Sequence, residues 1–127
     1  MNVTIDHENI EVLHQDSLIL VSAPISTVMP ALFPGEAEYI SKAVEKRQRE
    51  FATGRALARH GMELLGFAPQ AIPVGVMRQP VWPVGLAGSI THTNTHCAVA
   101  LGKSVHVLSI GIDMETAGAV TRELWDQ

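Results

Sequence analysis

The stretch that decides the fold is residues 78–115, RQPVWPVGLAGSITHTNTHCAVALGKSVHVLSIGIDME. It alternates short apolar runs with small-residue and polar turns, the pattern of consecutive β-strands. Gly88–Thr91, Cys97–Leu101 and Val105–Met114 read as strands, with Gly102-Lys103-Ser104 as the turn between the last two. The last strand ends in Gly111-Ile112-Asp113-Met114-Glu115. Successive side chains on a strand point to opposite faces, so residues i and i+2 share one. Asp113 and Glu115 therefore aim two carboxylates at one point. Like charges at that range need a positive partner, and a hard divalent cation that also binds phosphate oxygens is the usual one.

Working back from this stretch, a helical pattern covers about Glu36 to Leu65. Ile40, Val44, Phe51, Ala58, Met62 and Leu65 recur at steps of three, four or seven, the period of one helix face. Gly66 before Phe67 suits a left-handed cap with an apolar contact behind it, and Pro69 blocks resumption. Gly54 and Gly61 lie seven apart, which predicts close packing of this helix on a sheet. Upstream, Ile10–His14 and Leu18–Ala23 read as strands around a Gln15-Asp16-Ser17 turn, and Pro30, Pro34 and Gly35 mark a loop. Ala71–Met77 reads as one more strand, and Val120–Trp125 as the start of a helix. The expected class is α+β, with one long helix on a small, mostly antiparallel sheet.

The 127 residues amount to about one domain, with 46 % hydrophobic and 17 % charged residues, as in globular proteins. The net charge of -4 gives no global footprint for nucleic acid or an anionic membrane. The single cysteine, Cys97, excludes an internal disulfide and fits a reducing compartment. The first residues carry Asp6, Glu8 and Glu11 without a basic start, so no signal peptide is expected, and no apolar run has transmembrane length. These features predict a soluble, cytoplasmic protein.

Charge is unevenly spread. The first 38 residues hold six acids and no lysine or arginine, whereas residues 42–59 hold six of the nine basic residues. A solvated helix face with pairs such as Lys42–Glu45 is the ordinary use of such a run, and an anion site is the functional one. Arg55 sits four after Phe51, on or beside the buried stripe, where an arginine is costly unless paired. His92 and Thr91 follow the small residues Gly85, Ala87, Gly88 and Ser89, which let a ligand approach the backbone. Arg78, Gln79, Pro80, Trp82 and Pro83 form a stiff loop suited to a nucleotide base, although Trp82 also serves as a core residue in the plainer reading. His92, His96 and Cys97 lack the context of a zinc site, and Cys97 opens an apolar run like an ordinary buried thiol.

Three segments in order, KRQREFATGRALAR at 46–59, RQPVWPVGLAGSITH at 78–92 and GIDME at 111–115, resemble the 4′-phosphopantetheinyl transferases, in particular the group of enterobactin synthase component D. The resemblance implies a fold of two similar α/β halves with coenzyme A at their junction. It implies transfer of the phosphopantetheine arm of coenzyme A to a serine of an acyl or peptidyl carrier protein. By the same resemblance Asp113 and Glu115 hold Mg²⁺ against the pyrophosphate and act with His92 in catalysis. Arg55, Arg59, Arg78, Thr91 and His92 fall at coenzyme A-binding positions, with Arg49 a weaker candidate. The second half of such enzymes carries a W-x-x-K-E motif that Glu123, Trp125 and Asp126 do not reproduce. The expectation is therefore a half-domain over 1–107 and the first strand of a second half over 108–127. Transfer by the chain as given is expected to be weak or absent; either a homodimer or a missing second half would complete the site, and a non-catalytic coenzyme A-binding or interaction module is the alternative.

Overall fold

The computed structural model describes residues 9–15 and 18–104. Four strands form one sheet in the order β1-β2-β4-β3: β1 Glu11–Gln15, β2 Leu18–Pro24, β3 Leu86–His92 and β4 His96–Lys103. All three neighbouring pairs are antiparallel. The inner strands carry the most apolar sequences because both of their faces and both of their edges are covered. The β4 interior is buried at every position from Cys97 to Gly102. Along β2, Ile19, Leu20, Val21 and Ala23 are buried. This architecture is the α+β class expected from the sequence.

Helix α1, Pro34–Ile40, and helix α2, Glu45–Leu64, lie between β2 and β3 in the chain. The long helix expected from Glu36 to Leu65 is therefore two helices, and the break corrects the periodicity argument. Val44 is extended, with φ -65° and ψ 156°, and is 73 % exposed, so it does not belong to the buried stripe. Residues 41–44 carry no proline or glycine, so propensity gives no warning. The break is held from outside: Gln48 Nε2 donates to the carbonyl oxygens of Ile40 and Ser41 at 3.3 and 3.2 Å. These are terminal acceptors that an uninterrupted helix would have satisfied itself.

The α2 end follows the expected cap. Gly66 takes φ 89°, its N–H donates to Glu63 O at 3.0 Å, and the Phe67 N–H donates to Met62 O at 2.9 Å. Those two bonds are a Schellman motif. Helix α2 lies on the sheet face formed by Ile19, Val21, Ala23, Cys97, Val99 and Leu101, which pack with Leu57, Ala58, Met62 and Ile72. A Cβ on Gly61 would stand 2.5 Å from Leu101 Cδ1, and one on Gly54 would stand 2.9 Å from Ile90 Cγ2. Glycine thus sets the approach of helix to sheet. Among the described residues no helix is long and apolar enough to cross a membrane.

The strand expected at Ala71–Met77 does not join the sheet. Only an isolated bridge forms, between Val74 and Pro80. Pro73 has no N–H to offer a ladder, and the segment folds back on itself. Its bonds run from Val81 N to Pro73 O at 2.8 Å and from Gly75 N to Gln79 O at 2.7 Å. Arg78 adopts φ 64° at the tip of this fold-back loop. The expected strand over 105–114, the helix near 120–125, and the carboxylates of Asp113 and Glu115 lie outside the described residues.

Candidate functional site: a cationic cavity beside helix α2

A cavity of about 500 Å³ opens where α1, α2, the fold-back loop and the β3–β4 edge meet. Helix α2 contributes Arg47, Glu50, Phe51 and Arg55, which fall on one face by their three- and four-residue steps. The end of α1 adds Tyr39 and Ile40, and the loop adds Val74, Arg78 and Pro80. Ile90 and His92 of β3 and Cys97 of β4 complete the wall.

Arg55 is 5 % exposed, so its cation is held in a largely apolar setting. Its Nε–H donates to Ile72 O at 2.9 Å, and its guanidinium carbon lies 4.4 Å from the centroid of the Phe51 ring. Burial pushes the guanidinium down to about 10, with Arg59 and Arg47 acting the same way and Glu36 opposing them. It stays cationic at neutral pH. Tyr39 packs on Phe51 in a tilted pair with centroids 5.5 Å apart, which extends the aromatic wall outward.

His92 is 39 % exposed by side chain and sits beside Glu50, whose side chain is 8 % exposed. Its Nδ1 lies 3.8 Å from Glu50 Oε2 and 3.2 Å from Thr93 O. Cys97 is buried beneath them, its thiol directed to Glu50 O at 3.6 Å. Burial pushes that thiol up to about 12, and the Glu50 charge adds to the effect. Such a thiol is no nucleophile at neutral pH.

The structure thus brings Arg55, Arg78 and His92 of the expected site together. It does not bring Thr91 to them: Ile90 and His92 line the cavity, and Thr91, between them on β3, faces the other side of the sheet. Arg59 is also elsewhere. Its Nη1 donates to Glu36 Oε2 at 2.6 Å, its Nη2 donates to Ala31 O at 3.3 Å, and it lies over the Phe33 ring. Arg49 pairs with Glu45 at 3.7 Å. Of the polar cavity residues, Arg47, Glu50 and Tyr39 were not singled out by the sequence reading. Arg47 was findable, because it lies four before Phe51 and eight before Arg55. Glu50 was not, because a carboxylate in an anion site runs against the charge logic.

Among the described residues no group of three or more His, Cys, Asp or Glu could hold a metal ion. What the cavity offers is cations and aromatic surface around a space of about 500 Å³, set in an α+β domain. The 4′-phosphopantetheinyl transferase N-terminal domain family matches residues 35–102, more than half of the chain. The chain belongs to that family. It is 43 % identical over 82 residues to the 4′-phosphopantetheinyl transferase Npt of Nocardia iowensis, covering 65 % of this chain and 37 % of that protein. It is 40 % identical over 82 residues to PptT of Mycobacterium tuberculosis, covering 65 % and 36 %. It is 34 % identical over 90 residues to enterobactin synthase component D of Escherichia coli K12, covering 68 % and 41 %. The aligned part thus spans little more than a third of the length of these relatives.

Proposed function

We propose that this chain supplies the N-terminal, coenzyme A-binding part of a 4′-phosphopantetheinyl transferase that modifies a serine of an acyl or peptidyl carrier protein. The observation that carries the reading is the cavity itself: Arg47, Arg55, Arg78 and His92 converge on it from three separate elements. A family matched over residues 35–102 and relatives named as phosphopantetheinyl transferases support the same reading.

In this reading the arginines neutralise the phosphates of coenzyme A and hold them in register, while Tyr39 and Phe51 provide flat apolar surface for the rest of the molecule. Arg55 is fixed at its Nε and so is oriented before the ligand arrives, which reduces the ordering cost of binding. The transfer forms a bond from the carrier serine oxygen to the phosphorus bearing the pantetheine arm. It breaks the bond from that phosphorus to adenosine 3′,5′-bisphosphate, and the serine proton is lost. Such chemistry depends on charge neutralisation and alignment more than on covalent help. Asp113 and Glu115 are the residues that would hold Mg²⁺, as hard oxygen donors suited to that ion, and bound Mg²⁺ would supply charge neutralisation at the pyrophosphate. Arg59 acts at one remove, through Glu36 and the loop that Glu36 anchors. The half-domain division at about residue 107, the cytoplasmic location and the completion of the site by a second half or a second copy belong to this proposal. A coenzyme A-binding module without turnover is the second reading, favoured by a cavity whose described cations and aromatic rings suit binding.

The test has two stages. Calorimetric titration with coenzyme A should give saturable binding that tightens with Mg²⁺ and is lost in Asp113→Ala only as regards the Mg²⁺ effect. Incubation with an apo carrier protein, coenzyme A and Mg²⁺, with and without a relative's second half added in trans, should then give a phosphopantetheine mass gain on the carrier when that half is present. Binding without mass gain supports the module reading, and no binding at all overturns both.

A further inference from the structure

Resting on the coenzyme A-site reading, we propose that Glu50 is a positioning residue that fixes the ring of His92 for the ligand. Glu50 is a carboxylate in the wall of a cavity that otherwise gathers cations. A side chain only 8 % exposed has given up most of its water, and a buried carboxylate needs a donor in return. His92 Nδ1 stands 3.8 Å from Oε2, an ion-pair distance longer than a hydrogen bond. On its other side the same nitrogen faces Thr93 O at 3.2 Å.

Two oxygens flank one ring nitrogen, at hydrogen-bond distance on the Thr93 side and ion-pair distance on the Glu50 side. On this proposal Nδ1 carries the proton, and Nε2 is left as the ring atom available to a ligand. Thr93 is exposed, so its carbonyl competes with water for that proton, whereas Glu50 is buried. Glu50 itself has little freedom. It sits in the second turn of α2, and its carbonyl accepts from the thiol of Cys97 on β4, the strand neighbour of His92. The carboxylate is thereby placed by the core rather than by the loop. One buried group on the rigid helix thus orients a histidine at the end of an edge strand, where backbone order alone would leave the ring free to turn. This is the arrangement in which a second group behind a ligand-binding histidine decides which nitrogen faces the ligand.

The experiment compares wild type with Glu50→Gln and Glu50→Ala, each checked for an unchanged amide fingerprint by NMR. Ring ¹⁵N shifts of His92 in the ligand-free chain are the first readout. They should report an Nδ1–H tautomer in wild type and a mixture in both variants. The second readout is coenzyme A affinity. Glu50→Gln should weaken it about fivefold in the wild-type background and leave it unchanged in a His92→Ala background, as expected of two residues acting as one unit. Unchanged His92 shifts in both variants would overturn the assignment, and so would an equal affinity loss with and without His92. A chain that binds no coenzyme A would defeat the substrate reading while the ligand-free shifts still judge Glu50.

Discussion

Arg55 donates its Nε–H to the carbonyl oxygen of Ile72 at 2.9 Å, across seventeen residues of chain. The other side of the same residue is held as well: the Ile72 N–H donates to Glu36 Oε2 at 2.6 Å. Ile72 is fully buried, and both of its backbone groups are satisfied by charged side chains from two different helices. The fold-back loop that carries Arg78 is therefore tied to α1 and α2 at one residue. The bond between Arg55 and Ile72 also orients the cavity's most buried cation.

Replacing Arg55 should consequently damage stability and binding together. Arg55→Ala leaves the Ile72 carbonyl buried without its donor, at a cost of about 1–3 kcal/mol. Arg55→Lys keeps the charge but loses the planar fork and the stacking on Phe51, and is expected to fall between wild type and Ala in both properties. Urea denaturation and coenzyme A titration of the same samples measure the two effects. An Arg55→Ala variant as stable as wild type would show that the bond contributes nothing.

The two glycines of α2 should respond differently to alanine. Gly61→Ala puts a Cβ 2.5 Å from Leu101 Cδ1 and 3.3 Å from Val21 Cγ2, inside a fully buried core. Overpacking of this kind costs about 1–3 kcal/mol and outweighs the gain of about 1 kcal/mol or less in helix propensity. Gly54→Ala meets a single atom, Ile90 Cγ2 at 2.9 Å, on a half-buried residue that borders the cavity. Ile90 can yield toward that space, so stability should change little and the cavity should narrow. Thermal melts and coenzyme A affinities of both variants check the contrast: the first loses melting temperature, the second loses affinity.

The fold was legible where local chemistry and tertiary packing agree. The strands β1 to β4 follow from alternating or continuous apolar runs, and the α2 end from Gly66 and Phe67. The α1–α2 break was not legible, because Val44 continues the apolar period and only Gln48, reaching back to Ile40 and Ser41, holds the interruption. The strand expected at Ala71–Met77 failed for a reason visible in the sequence, since Pro73 and Gly75 interrupt it. The cavity takes in Arg55, Arg78 and His92, which position and family resemblance name together. Arg59 and Thr91, named by the same resemblance, lie away from it, Arg59 paired with the buried Glu36 and Thr91 between two cavity-lining residues of β3; neither placement is legible from a charge pattern or a motif.

The thiol of Cys97 makes a pH prediction. Its pKa rises from 9.0 to about 12 on folding, chiefly because burial disfavours the thiolate. Between those values the unfolded chain has lost the proton that the folded chain keeps, so stability falls as pH rises. Below pH 9 this contribution is fully present. Cys97→Ala should remove it, and the wild-type and variant stability curves should diverge only above pH 9. Parallel curves up to pH 10.5 would contradict the assignment. Alkylation by iodoacetamide at pH 8 should likewise be slow in the folded chain and fast in denaturant.

Arg47 and Arg59 offer the sharpest separation of binding from stability. Arg47 is exposed and lines the cavity, whereas Arg59 is 9 % exposed and pairs with Glu36 at 2.6 Å outside it. Arg47→Ala removes a cation that solvent already hydrates, so stability should stay within about 0.5 kcal/mol of wild type. Coenzyme A affinity should fall, and its dependence on salt should flatten, because one fewer screened charge attracts the ligand. Arg59→Met does the reverse. It strips the counter-charge from a fully buried Glu36, and breaking such a pair from one side costs about 3–5 kcal/mol. The paired variant Glu36→Gln with Arg59→Met should recover part of that loss, because no unpaired charge remains. The salt dependence of coenzyme A binding should be the same in folded Arg59→Met as in wild type. A flattened salt dependence in Arg59→Met, or a large stability loss in Arg47→Ala, would exchange the roles that the structure gives these two arginines.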